Sequence, residues 1–222
     1  MHQRRSLFFV LAAALVAVSL PHAARAANDA PAINAFNAAF ANVTSMTWKE
    51  QAHEVQGTSQ QNRVYDYSFM KPHFAKTLIE SGDGKGSGGV WAGGDQVSGH
   101  QGGFLSGIHL KVSIHDGRAT SIRGFTIPDG LIQNIVAAYA DTAGTLRQQS
   151  GGKMGGVDTD LLDLKVANPA SYGGVTDMRL WLNADTHWPI RQVMYAGDAI
   201  VLDQTFSNYN LNANLSQNDF PF

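Results

Sequence analysis

The 222-residue chain contains no cysteine. That absence removes disulfides, thiolate metal sites and a thiol nucleophile together, and stability has to come from packing. It also removes a lipid anchor of the kind that needs a cysteine directly after a signal-peptide cut. Charge is sparse: Asp, Glu, Lys and Arg make up 15% of the residues, 16 basic against 18 acidic. A mildly acidic chain without a basic patch is a poor match for nucleic acid. No apolar run reaches the roughly 20 residues of a membrane-spanning helix. The longest, Leu7 to Leu20, follows Arg4 and Arg5, stops at Pro21 and His22, and precedes the small-residue site Ala24-Arg25-Ala26. This is the pattern of a secretory signal peptide, expected to be cut after Ala26 and to export the protein.

Residues 27–222 remain, 222 − 26 = 196, enough for one domain with a sizeable core. Three of the 16 basic residues lie in the leader, so this domain carries 13 basic against 18 acidic residues, a net −5. Glycine is abundant, 23 residues, and falls between short alternating segments, the texture of an antiparallel β protein. Asn28-Asp29-Ala30-Pro31 offers a cap and a first-turn proline, and Ile33, Phe36, Phe40 and Val43 then share one helical stripe. The spacing predicts a helix from Pro31 to Ser45. Strands are predicted at Val64–Met70, Phe74–Ser81, Val90–Ala92, Gln96–His100, Gly107–His115 and Ala119–Arg123. Leu131, Ile132, Ile135, Val136 and Tyr139 have helical spacing after Pro128-Asp129-Gly130, a second helix that interrupts the sheet. The Gly-rich stretch Asp141 to Gly156 is expected to be a mobile loop. Strands resume at Leu161–Val166, Val175–Asn183, Ile190–Tyr195 and Ala199–Tyr209. Two helices with apolar stripes need a surface to cover, so the expected fold is mainly β (α+β): a strongly curved antiparallel sheet with helices on its concave side and a cavity between.

The chemistry-bearing patterns fail one after another. Gly84-Lys85-Gly86-Ser87-Gly88-Gly89 matches G-x-G-x-x-G but runs into a strand instead of opening a helix, so it is a hairpin loop. His100, His109 and His115 are close in sequence, yet two ligands six residues apart on a strand lie roughly 20 Å apart, which fits no metal site. Ser87, Ser98 and Ser106 lack the glycines of a nucleophile elbow. Asp158, Asp160 and Asp163 lack the glycine and distant Glu of a calcium loop. No catalytic residue, metal or cofactor is therefore expected.

Three segments carry a resemblance. They are Tyr65-Asp66-Tyr67-Ser68-Phe69-Met70-Lys71-Pro72-His73-Phe74, then Val90-Trp91 leading through Gly93-Gly94-Asp95 to Val97, and Asn183-Ala184-Asp185-Thr186-His187-Trp188-Pro189-Ile190-Arg191-Gln192. Together with the Asn-rich tail from Phe206 to Phe222, they resemble the LolA-like lipoprotein-carrier superfamily over Pro31 to Phe222. The resemblance implies an incomplete β-barrel of the LolA/LolB type, helices over its concave side and an apolar cavity. It also implies a periplasmic role in binding or carrying acylated cargo, with transient inner- and outer-membrane protein partners. The long Gly82–Gly89 loop and the Asp141–Gly156 insertion depart from the pattern and leave the cargo open.

An acyl chain gains about 0.8 kcal/mol per CH₂ removed from water, roughly 13 kcal/mol for sixteen carbons before ordering costs. A cavity closed by small helices can hold such a chain and still release it. Tyr65, Tyr67, Phe69, Trp91 and Trp181 are the candidate cavity wall. Ile33, Phe36, Phe40 and Val43 of the first helix, with Leu131, Ile135 and Val136 of the second, are the candidate lid. A monomer is expected, with the tail forming the closing edge of the sheet. Two other classes stay open: a lipid-sensing or protein-interaction module on the same fold, and an enzyme whose site the sequence hides.

Overall fold

The computed structural model describes residues 30–221, so the leader 1–26 and Phe222 lie outside the described residues. Helix α1 (Pro31–Ala41) is followed by β1 (Ser45–Gln56), β2 (Ser59–Met70), β3 (Phe74–Gly82), β4 (Gly88–Trp91), β5 (Gln96–His100) and β6 (His109–Ser113). Helix α2 (Ile132–Asp141) leads to β7 (Gly144–Met154), β8 (Val157–Val166), β9 (Asp177–Asn183), β10 (Pro189–Ala196) and β11 (Ala199–Leu211). The eleven strands form one curved sheet, ordered β6-β5-β4-β3-β2-β1-β11-β10-β9-β8-β7. The chain thus starts at the middle of the sheet and walks outward by hairpins to β6. It crosses over through α2 to the opposite edge, β7, and walks back until β11 pairs antiparallel with β1. β6 and β7 are the two edges, so the barrel is incomplete.

Burial and register together show which face of the sheet is concave. Met46, Trp48, Glu50, Ala52 and Glu54 are the buried positions of one face of β1, with Ser45 buried at the start of the strand. Register sets Trp48 opposite Tyr67 and Glu50 opposite Tyr65, so all of these side chains look into the concave side. Trp48 and Tyr67 stack with ring centroids 4.7 Å apart. In the second half of the sheet the inward positions are Leu162, Leu164, Met178, Leu180, Leu182 and Leu202, in one core with Ile33 and Phe36 of α1 and Ile132, Val136 and Tyr139 of α2. Each such side chain contributes about 1.5–3 kcal/mol on burial, which explains why the helices settle there. The first half of the concave face keeps its hollow.

The ends of α1 are held from a distance. The cap expected from Asn28 and Asp29 falls outside the described residues; the N-cap position is Ala30, which has no side-chain cap. Instead Gln148 of β7 accepts a hydrogen bond from the Ala32 N–H at 2.9 Å. At the other end the Lys71 ammonium donates to the Phe40 and Ala41 carbonyls at 2.8 and 3.1 Å, where the helix dipole favours a cation. Lys71 precedes Pro72 across a cis peptide bond. The helix stops at Ala41 rather than Ser45, because Ser45 already pairs with Met70 as the first residue of β1.

Three further expectations are corrected. Residues 141–156 are no mobile loop: 144–154 form β7, in which Gly151 lies at a bulge where a Cβ would fall 2.4 Å from Thr159 Oγ1, and Gly155 and Gly156 turn the hairpin with φ of 58° and 89°. These glycines serve a bulge and a turn. Residues 119–123 form no strand, since side chains satisfy this backbone: Gln61 accepts from the Ile122 N–H and Glu54 from the Arg123 N–H, both at 3.3 Å. Finally, β11 is an interior strand, because the β1–β11 pairing joins the two halves of the sheet. The tail beyond it turns at Asn212 and Asn214, both at positive φ, and buries Phe220 against Phe74 with centroids 5.8 Å apart. Asparagine tolerates this left-handed backbone better than most residues, which accounts for the Asn-rich composition.

Candidate functional site

A hollow of about 1080 Å³ opens on the concave side of the first half-sheet. That is at the top of the roughly 300–1,000 Å³ usual for small-molecule sites. Its floor follows one row of partners across the sheet: Tyr67 opposite Thr77, Thr77 opposite Gly89, Gly89 opposite Gly99, and Gly99 opposite Leu110. Two adjacent strands present glycine inward at this row, so the sheet has no side chains there to fill the space. A Cβ on Gly89 would lie 3.0 Å from Ile127 Cδ1 and 3.2 Å from Val97 Cγ2. Ile79, Val97, Leu110 and Val112 give the floor its apolar surface, and Ile135 and Ala138 of α2 close one side. The segment 117–130 crosses above as a rim, and Gly130 rests on Tyr67 so closely that a Cβ would fall 2.1 Å from the phenol oxygen.

The inner wall is polar. Glu50 and Glu54, 1% and 3% exposed, both line the hollow. Glu50 Oε1 accepts a hydrogen bond from Gln204 Nε2 at 2.7 Å, while Oε2 is buried with no partner. Burial, with the nearby Glu54 charge, pushes the Glu50 carboxyl from 4.5 up to about 8, against the opposing effect of the Gln204 bond. Burial likewise raises Glu54. Burial pushes Tyr65 up to about 12 and Tyr67 well above its usual value, so both phenols keep their protons at neutral pH. Arg63 donates to Tyr65 Oη at 3.1 Å and to the Asp83 carbonyl at 2.9 Å. Among the described residues no group of three or more His, Asp or Glu side chains could hold a metal ion. His109 pairs across β5 and β6 with His100, ring centroids 5.4 Å apart, and His115 lies beyond the end of β6.

No protein-family model matches the sequence. No curated protein matches it either. Solved structures do. An uncharacterized conserved protein from Thermus thermophilus superposes with a TM-score of 0.54 at 9% identity, covering 84% of this chain and 90% of that one. The lipoprotein LppX from Mycobacterium tuberculosis superposes with a TM-score of 0.50 at 15% identity, covering 83% and 95%. A LolA superfamily protein from Nitrosomonas europaea matches at 11% identity over 87% and 99% of the chains, with a TM-score of 0.39. The chain shares its fold with the Thermus protein and with LppX. At these identities the likeness concerns the fold alone.

Within this fold the residues singled out from sequence divide into three groups. Tyr65, Tyr67 and Ile135 line the hollow. Phe69 shares the concave face but is 1% exposed beneath α1, its ring 6.1 Å from that of Phe40. Ile33, Phe36, Val43, Leu131 and Val136 are buried in the core, and Phe36 and Phe40 meet Trp188 at 5.4 and 6.3 Å. Trp91 and Trp181 lie away from the hollow. Trp91 donates to the Gly94 carbonyl at 2.8 Å, and Trp181, paired with Leu161 and Arg191, faces the convex side near the Arg191 guanidinium. Alternation within one strand shows which residues share a face, but not which face is concave or which end a helix covers. Glu50, Glu54, Gln192, Gln204, Gly89 and Gly99 also line the hollow and were not singled out from sequence. The signal was present in Met46, Trp48, Glu50, Ala52 and Glu54, an alternating run in which two acids occupy inward positions.

Proposed function

We propose that the protein is an exported binder or carrier of acylated cargo, a lipid or the lipid part of a lipoprotein, held in the hollow without chemical change. The observation that carries this reading is the hollow itself: a large, partly apolar space built into the concave face by inward glycines instead of being filled by the core. An acyl chain lying over Ile79, Val97, Leu110 and Val112 would leave water at about 0.8 kcal/mol per CH₂. On this reading α2, which supplies Ile135 and Ala138 to the wall, is the part of the lid that touches cargo, and α1 is its buttress through the aromatic contacts of Phe36 and Phe40. Release then needs α2 and the 117–130 rim to lift, while the Trp188 cluster stays packed. Handover to membrane protein partners belongs to the same reading. The protein purified from its own host and extracted with organic solvent should yield about one acyl lipid per chain, and a fluorescent fatty acid should be displaced by that extract. Recovery of no lipid together with no displacement would overturn the reading.

A further inference from the structure

We propose that Glu50 is the polar anchor of the hollow and hydrogen-bonds an uncharged ester or amide group that joins the acyl chain to the rest of its cargo; this rests on the carrier reading. Glu50 is 1% exposed and faces the hollow, yet its Oε2 has no partner. A buried polar atom left unpaired carries a standing desolvation penalty, and a ligand that pairs it recovers that penalty as affinity. The surrounding groups are already engaged. Glu54 accepts from the Arg123 N–H, Arg63 is turned to Tyr65 and the Asp83 carbonyl, and Asp129 accepts from the Thr126 N–H and hydroxyl at 2.8 and 2.7 Å. Among the buried side-chain atoms of the residues that line the hollow, Glu50 Oε2 is the one left without a hydrogen-bond partner, and it lies next to the apolar floor, opposite Tyr65, with Ile79 one strand further on.

The chemistry selects the partner. A neutral carboxyl donates through its hydroxyl to a carbonyl oxygen, which esters and amides supply. A free fatty-acid anion placed there would meet Glu54, four residues along on the same face of β1, whereas Arg63, opposite Ala52, is turned to Tyr65 and the Asp83 carbonyl. Burial keeps Glu50 protonated at neutral pH, in agreement with this role. Gln204 holds the other oxygen and so fixes the direction of the free one.

Binding of 1-monopalmitoylglycerol, an N-palmitoyl tripeptide amide and palmitate at pH 7 to the wild type, Glu50→Gln and Glu50→Leu tests the assignment. The wild type is expected to prefer the glyceride or the peptide over palmitate by about tenfold or more. Glu50→Gln, which keeps an N–H donor, should stay within about threefold of wild type, whereas Glu50→Leu should lose about tenfold for ester and amide and little for palmitate. Tighter binding of the peptide marks lipoprotein as the source of the group and tighter binding of the glyceride marks free lipid; both support the anchor. A folded Glu50→Leu variant with the wild-type order and strength of binding overturns the anchor alone. If the wild type binds none of the three, the anchor and the carrier reading fall together.

Discussion

Glu50 gives the protein a measurable pH dependence. Its carboxyl is pushed up to about 8 in the fold from an ordinary 4.5, so between those values the native state holds a proton that the unfolded chain has released. Below pH 4.5 both states are protonated and the penalty is absent. Stability then falls as pH rises toward 8, by on the order of 5 kcal/mol, and levels off above it. Glu54, also raised, acts in the same direction. Urea midpoints at about pH 5 and about pH 8.5 should therefore differ for the wild type in favour of the lower pH, and the difference should shrink in Glu50→Gln; an equal loss in both would assign the pH dependence elsewhere. Gly130 makes a second prediction at this scale. Because a Cβ there would lie 2.1 Å from Tyr67 Oη, Gly130→Ala should cost roughly 1–3 kcal/mol in a denaturation curve. Tyr67→Phe, which removes that oxygen, should restore much of the loss.

At the scale of elements, the tail and the ends of α1 are the parts that join distant segments. Phe220 is fully buried against Phe74, and Lys76 donates to the Asp219 carbonyl at 2.8 Å, so the last residues clasp the outer face of β3. Phe220→Ala should cost about 3–5 kcal/mol in chemical denaturation. A loss below about 1 kcal/mol would show that the tail only rests there. Lys71→Ala, which removes the ammonium from the last carbonyls of α1, should cost about 1 kcal/mol, with little change for Lys71→Arg. Much of this level was legible in the sequence. The alternation of Tyr65, Tyr67 and Phe69 and the helical spacing of Leu131, Ile135 and Val136 mark their elements because each pattern is local. β7 was not legible, since its glycines look like loop residues until pairing with β8 shows a bulge and a turn. The 119–123 segment misled in the opposite way, because the side chains that satisfy its backbone come from β1 and β2.

At the scale of the whole molecule, sheet order decides where the hollow lies. By starting at the centre and returning to it, the chain brings both helices onto the concave side, with α1 reaching across to Phe69 of β2, and leaves the space over β3 to β6 unfilled. Sequence patterns reach the class of fold and the presence of two covering helices, but the meeting of Gly89 with Gly99, and of Glu50 with Gln204 from the far end of the chain, depends on strand order. The central claim is that this hollow is where an acyl chain binds. Thr77 lies in its floor between Tyr67 and Gly89 and lines the hollow, so the indole of Thr77→Trp would project into it. The most direct test is the dissociation constant of a fluorescent sixteen-carbon acyl probe for wild type and Thr77→Trp. Saturable binding of one probe per wild-type chain, weakened at least tenfold in a Thr77→Trp variant of unchanged thermal stability, is the predicted result; equal affinity in the two proteins, or no saturable binding in the wild type, would contradict it.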